Sequence, residues 1–116
     1  MRVLLVDDEE EFVTTLAERL ALRGFFVEYA TKAGDALVLA EKGAYDIAVL
    51  DMKMPGTGGL QLREVLEREY PNMKFIFLTG HGSEDDYRAG SAGAGYLVKP
   101  VDINILILKM KEALDK

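Results

Sequence analysis

Three runs of consecutive apolar residues, Val3-Leu4-Leu5-Val6, Ile47-Ala48-Val49-Leu50 and Phe75-Ile76-Phe77-Leu78, constrain this chain more than any other feature. A strand of unbroken apolar residues presents them on both faces, so it needs cover above and below. Parallel sheets flanked by helices supply that cover. Two weaker extended segments complete the set: Phe25 to Tyr29, rich in strand-forming aromatics, and Tyr96-Leu97-Val98.

Helical patterns fill the intervals. Phe12, Val13, Leu16, Ala17 and Leu20 recur at helical spacing after the acids Asp7 to Glu11, and Gly24 closes that segment. Ala33, Ala36, Leu37 and Ala40 form a thinner stripe that ends at Gly43, and Leu62, Val65 and Leu66 form a third that Pro71 stops. Leu106, Met110 and Ala113 mark a last helix opening at Asp102. Between Gly82 and Gly95, Ser83-Glu84-Asp85-Asp86 resembles a helix start, but Gly90 and Gly93 each cost a helix about 1 kcal/mol, so the fourth helix is expected to be short or frayed. Strands alternating with helices predict a five-stranded parallel α/β sheet with right-handed crossovers and five helices.

The 116 residues suit one domain, with 49% hydrophobic content for a shared core. No effector domain is expected within residues 1–116. A formal charge of −6 argues against direct nucleic-acid binding and favours cations or basic surfaces as partners. No cysteine is present, which excludes a disulfide framework or thiolate metal site and accords with a cytoplasmic location. Every apolar run is too short for a signal-peptide core or a membrane span, so no membrane association is expected.

Chemistry is expected where the runs end. Asp7 and Asp8 follow the first, Asp51 the third, Thr79 the fourth and Lys99 the fifth, and ligands of open parallel sheets bind outside the carboxyl ends of the strands. Asp51 is held between a buried strand and the break at Met54-Pro55-Gly56. Singly, each residue has a plain reading: Asp51 as a turn cap, Asp7 to Glu9 as helix N-terminal charges, Thr79 as a turn former, Lys99 as a solvated charge. Jointly they describe a phosphoryl-transfer site. Clustered carboxylates either hold protons or gather a cation; oxygen ligands select a hard ion such as Mg²⁺, or Mn²⁺ in its place; a lysine and a hydroxyl are donors to a phosphoryl group. Lys99 precedes Pro100, and a cis bond there would aim the lysine at the crevice.

In Val-Leu-Leu-Val-Asp7-Asp8-Glu9, Ile-Ala-Val-Leu-Asp51-Met-Lys-Met-Pro-Gly, Phe-Ile-Phe-Leu-Thr79-Gly and Tyr96-Leu-Val-Lys99-Pro100, the sequence resembles the CheY-like receiver domain of two-component response regulators over essentially its whole length. The resemblance implies a flavodoxin-like, doubly wound sheet of order 2-1-3-4-5. It implies that Asp51 accepts a phosphoryl group from the phosphohistidine of a sensor histidine kinase or phosphotransfer protein. Asp8 and Asp51 would bind Mg²⁺ directly, Asp7 through water, and the main-chain carbonyl of Lys53 would add a ligand. Thr79 and Lys99 would grip the phosphoryl oxygens, and Tyr96 would be the aromatic switch residue. The domain would act as a signalling switch rather than a classical enzyme, catalysing only its own phosphorylation and dephosphorylation. Its output would pass through the surface around helices 4 and 5 to a downstream protein or detached effector domain.

Other classes fit less well. A structural domain without chemistry would not need Asp8, Asp51, Thr79 and Lys99 together. An aspartyl-phosphate hydrolase would carry a second Asp where Lys53 stands, and a flavin protein of similar fold would place hydroxyls where Asp7 to Glu10 stand. The interval from Thr79 to Lys99 is slightly shorter than the family's usual spacing, and the shortening falls in the expected fourth helix. His81, the only histidine, suits a solvent-facing loop; the resemblance also puts Lys53 and His81 where they would tune dephosphorylation. Ile103, Ile105, Leu106, Ile107 and Leu108 exceed one buried face, so either neighbouring helices cover the extra positions or, the favoured reading, they form a homodimer or partner surface on the last helix.

Overall fold

The computed structural model describes residues 1–80 and 95–115. In chain order the described elements are β1 (Arg2–Val6), α1 (Glu10–Leu22), β2 (Phe26–Ala30), α2 (Ala33–Lys42), β3 (Ile47–Asp51), α3 (Gly59–Glu69), β4 (Lys74–Thr79), β5 (Gly95–Val98) and α4 (Ile103–Leu114). All pairings are parallel, in the order β2-β1-β3-β4-β5. The flavodoxin-like sheet is thus the expected one. The expected fourth helix, with His81, lies outside the described residues, and α4 is the last helix of the chain.

Side-chain alternation sorts the apolar runs into two cores. Leu4, Val6, Ala48, Leu50, Phe75 and Phe77 point to one face and meet Ala36 and Ala40 of α2 and Leu62 and Leu66 of α3. Val3, Leu5, Ile47, Val49, Ile76 and Leu78 point to the other and meet Val13, Leu16 and Leu20 of α1 and Leu106 and Met110 of α4. β1 and β3 are buried almost throughout, as continuous apolar runs require. β2, at the sheet edge, is only partly covered, so Phe26 and Tyr29 reach solvent.

The strand ends are consequently rigid. Asp51 pairs in register with Leu78, and Thr79 with Val98, so Asp51, Thr79 and Lys99 leave neighbouring strands at one edge. Beyond β5, Asp102 caps α4: its Oδ1 accepts from the backbone N–H of Asn104 at 2.8 Å and of Ile105 at 3.2 Å. α4 buries Leu106 and Met110 and packs Ile103 and Ile107 partly against the same core, but leaves Ile105 49% and Leu108 55% exposed, so only these two of the surplus apolar residues are not absorbed by the described core.

Candidate phosphoryl-transfer site

Asp51 ends β3 with a side chain 6% exposed. Its Oδ1 accepts the backbone N–H of Lys53 at 3.4 Å, and the Met52 N–H donates to the Leu78 carbonyl at 2.9 Å. The loop that follows turns at Gly56, whose φ of +80° suits glycine. It then returns so closely that the Gly59 N–H donates to the Met52 carbonyl at 3.0 Å, and a methyl group on Gly59 would collide with the Asp51 carbonyl oxygen. Gly59 therefore lets α3 start against the backbone of Asp51. The sequence does not mark Gly59 for that contact, since a glycine's neighbours are not written in the chain.

Asp7 lies just past β1, buried at 2% exposure, and Asp8 beside it is exposed. Asp7 does not belong to α1; its Oδ1 accepts the Glu9 N–H at 2.9 Å and fixes the turn into the helix. One carboxylate oxygen from each of Asp7, Asp8 and Asp51 lies within 4.8 Å of the others. Two oxygens on opposite sides of an Mg²⁺ ion are about 4.2 Å apart, so this set fits a hard cation that takes some ligands directly and one through water. Lys53 is exposed next to Asp51, which leaves its side chain at the mouth of the site.

Lys99 reaches this cluster from the end of β5, across a cis peptide to Pro100. Its backbone N–H donates to the Thr79 carbonyl at 2.7 Å, tying the two strand ends together. The ammonium lies 2.6 Å from Asp7 Oδ2, 2.8 Å from Glu9 Oε1 and 3.7 Å from Asp51 Oδ2, above the Phe12 ring at 4.7 Å. Thr79 is buried at 1% exposure at the end of β4. Tyr96 is half-buried on the sheet face covered by α2 and α3. Asp7, Asp8, Asp51 and Lys99 thus converge, and Thr79 ends β4, the strand between β3 and β5. Glu9 and Phe12 join them unannounced, because the sequence shows Glu9 only as one more acid in a helix-opening run.

Electrostatics reflects the excess of acid. Burial, the Asp7 charge and the contact with Asp8 push the Asp51 carboxyl up from 3.8 to about 7, against the opposing pull of Lys99 and the Lys53 N–H. Burial also raises Asp7, and Lys99 only partly offsets it. Burial alone would lower Lys99, but its bonds to Asp7 and Glu9 outweigh that and raise it. A site that raises its Asp51 and Asp7 carboxyls in this way is prepared for a cation.

A family profile, the response regulator receiver domain, matches residues 3–111. The chain belongs to that family. Among curated relatives, the photosynthetic apparatus regulatory protein RegA of Cereibacter sphaeroides is 36% identical over 104 residues, covering 88% of this chain and 56% of that protein. The chain therefore spans about half the length of that relative. Among solved structures, the CheY-like receiver domain protein of Methanospirillum hungatei JF-1 superposes with a TM-score of 0.88 at 35% identity, covering 98% of this chain and 93% of that one. The response regulator TrrA of Thermotoga maritima, solved in complex with Mg²⁺ and BeF, gives 0.85 at 31% identity, with 97% and 98% covered. Receiver domains are phosphorylatable signalling switches. No helix among the described residues is long and apolar enough to cross a membrane.

Proposed function

We propose that Asp51 accepts a phosphoryl group from the phosphohistidine of a sensor histidine kinase or phosphotransfer protein. The observation that carries this reading is the position of the Asp51 carboxylate, with Asp7 and Asp8 within 4.8 Å and the Lys99 ammonium 3.7 Å away. Asp8 and Asp51 would hold Mg²⁺ directly, Asp7 would hold it through water, and the Lys53 carbonyl would add a ligand. Bound there, Mg²⁺ would supply charge neutralisation for the phosphoryl oxygens and relieve repulsion among the acids. The Asp51 oxygen forms the new bond to phosphorus as the donor's bond breaks, while Lys99 and the Thr79 hydroxyl hold the phosphoryl oxygens. Water later cleaves the acyl phosphate, at a rate tuned by Lys53 and His81.

Thr79 and Tyr96 lie on adjacent β4 and β5, which supports Tyr96 as the switch residue that answers an event at Asp51. The surface beside it, with α4, engages a downstream output protein or an effector domain, and exposed Ile105 and Leu108 make α4 a self-association face. Residues 1–116 act as one cytoplasmic receiver unit. Incubation with acetyl phosphate or phosphoramidate and Mg²⁺, followed by intact mass, tests the central claim. The parent gains one phosphoryl group and Asp51→Asn gains none; an undiminished gain in the variant removes Asp51 as acceptor.

A further inference from the structure

We propose that Glu9 is a positioning residue that parks the Lys99 ammonium away from Asp51 in the resting domain, so that phosphoryl transfer requires Glu9 to release it. This rests on Asp51 being the acceptor. An ammonium has three N–H donors. Its hydrogen bond goes to Glu9 Oε1 at 2.8 Å and it pairs as an ion with Asp7 Oδ2 at 2.6 Å, while Asp51 Oδ2 at 3.7 Å is beyond hydrogen-bond range. The Phe12 ring of α1 lies 4.7 Å from the ammonium as well, so Glu9 and Phe12 both draw Lys99 toward the start of α1.

The two anchors differ in freedom. Asp7 is 2% exposed and locked by the Glu9 N–H, so it stays. The Glu9 side chain is 63% exposed, and its backbone is fixed separately: its N–H donates to Asp7 and its carbonyl accepts from Val13 at 3.0 Å. Its carboxylate can therefore swing into solvent without disturbing α1. A phosphoryl group on Asp51 offers the ammonium three charged oxygens, a stronger partner than one exposed carboxylate. With acetyl phosphate as donor, the bond from phosphorus to the acetate oxygen breaks as the bond to the Asp51 oxygen forms, acetate leaves with the electron pair, and Lys99 keeps its protons. Glu9 only sets how often Lys99 is available at that moment.

The test compares Glu9→Gln with Glu10→Gln, which removes the same formal charge one residue away on the exposed first turn of α1. The first measurement is the initial rate of phosphoryl mass gain with acetyl phosphate and Mg²⁺. The second is the acylation rate of each lysine by acetic anhydride in EDTA, mapped by mass spectrometry, which needs neither metal nor phosphorylation. Glu9→Gln should raise both the phosphorylation rate and Lys99 acylation about threefold over the parent, the scale of one exposed ion pair. Acylation of the other lysines should not change, and Glu10→Gln should match the parent in both measurements. Equal Lys99 acylation in the two variants overturns the latch, as does faster acylation with no gain in phosphorylation rate. Should the parent itself gain no phosphoryl mass, Asp51 falls as acceptor, and the acylation comparison still decides whether Glu9 holds Lys99.

Discussion

Asp51→Asn should stabilise the metal-free domain, and the gain should depend on pH in a defined direction. The Asp51 carboxyl moves from 3.8 to about 7 on folding, chiefly by burial and by the Asp7 charge. A raised carboxyl pKa means that the folded state binds more protons than the unfolded state between those two values, so stability falls as pH rises through that window and levels off above it. At slightly alkaline pH the ceiling on this penalty is about 4 kcal/mol, at 1.36 kcal/mol per pH unit. Asparagine keeps the shape and can still accept the Lys53 N–H, but it loses its attraction to Lys99 at 3.7 Å. A net gain of about 2–4 kcal/mol at pH 8 is therefore expected, shrinking to about half a kcal/mol near pH 4. Urea unfolding in EDTA at the two pH values measures it, with the denaturant slope required to stay constant between parent and variant. Mg²⁺ added to the parent at pH 8 should close most of the gap, since a cation removes the same repulsion. A gain that is equal at pH 4 and pH 8, or a loss at pH 8, would refute the electrostatic reasoning.

Gly59→Ala should cost about 1–3 kcal/mol in urea unfolding, because the added methyl meets the Asp51 carbonyl and the start of α3 must shift; unchanged stability would mean that α3 can retreat freely. Lys53→Ala and His81→Ala should each change the lifetime of the Asp51 phosphate, followed by the decay of intact mass, more than its rate of formation; lifetimes equal to the parent's would remove both from dephosphorylation. Sedimentation of the parent should show concentration-dependent association that Ile105→Glu with Leu108→Glu abolishes, since those side chains are about half exposed on α4; a parent that sediments as a monomer at all concentrations, with and without a phosphoryl mimic, would argue against the surface.

The sheet was legible because its evidence is redundant. Val3 to Val6, Ile47 to Leu50 and Phe75 to Leu78 each require burial on two faces, and the helical stripes between them supply the cover. The strand-end acids were legible for the same reason, since the runs fix where the strands stop. Contacts made across the site were not. Glu9 in the sequence is one acid among Asp7 to Glu11, and its pairing with Lys99, 90 positions away, depends on how the Asp7 carboxylate bends the chain into α1. The placement of Gly59 against Asp51 is similarly a property of the folded loop. Periodicity speaks about faces, whereas a long side chain such as Lys99 chooses among partners that several faces bring together.

The balance of charge explains why such a site is kept at a cost in stability. Among the described residues, Asp7, Asp8, Glu9 and Asp51 outnumber Lys99 in the cluster, so the metal-free site is strained toward protonation, as the raised Asp51 and Asp7 carboxyls show. Filling Asp51's position with a neutral residue would relieve that strain and remove the nucleophile, a trade between stability and activity of a familiar kind. The excess acid also orders events. On the proposed reading a cation would bind first, because it would satisfy carboxylates that Lys99 cannot serve at once and would lower the charge that an anionic phosphoryl group meets at Asp51. Once phosphorylated, Asp51 would offer Lys99 a better partner than Glu9 does. The raised Asp7 and Asp51 carboxyls that cost the resting domain stability would thereby supply the difference between two charge states, and the 2.7 Å bond from the Lys99 N–H to the Thr79 carbonyl joins the ends of β4 and β5 where that difference would arise.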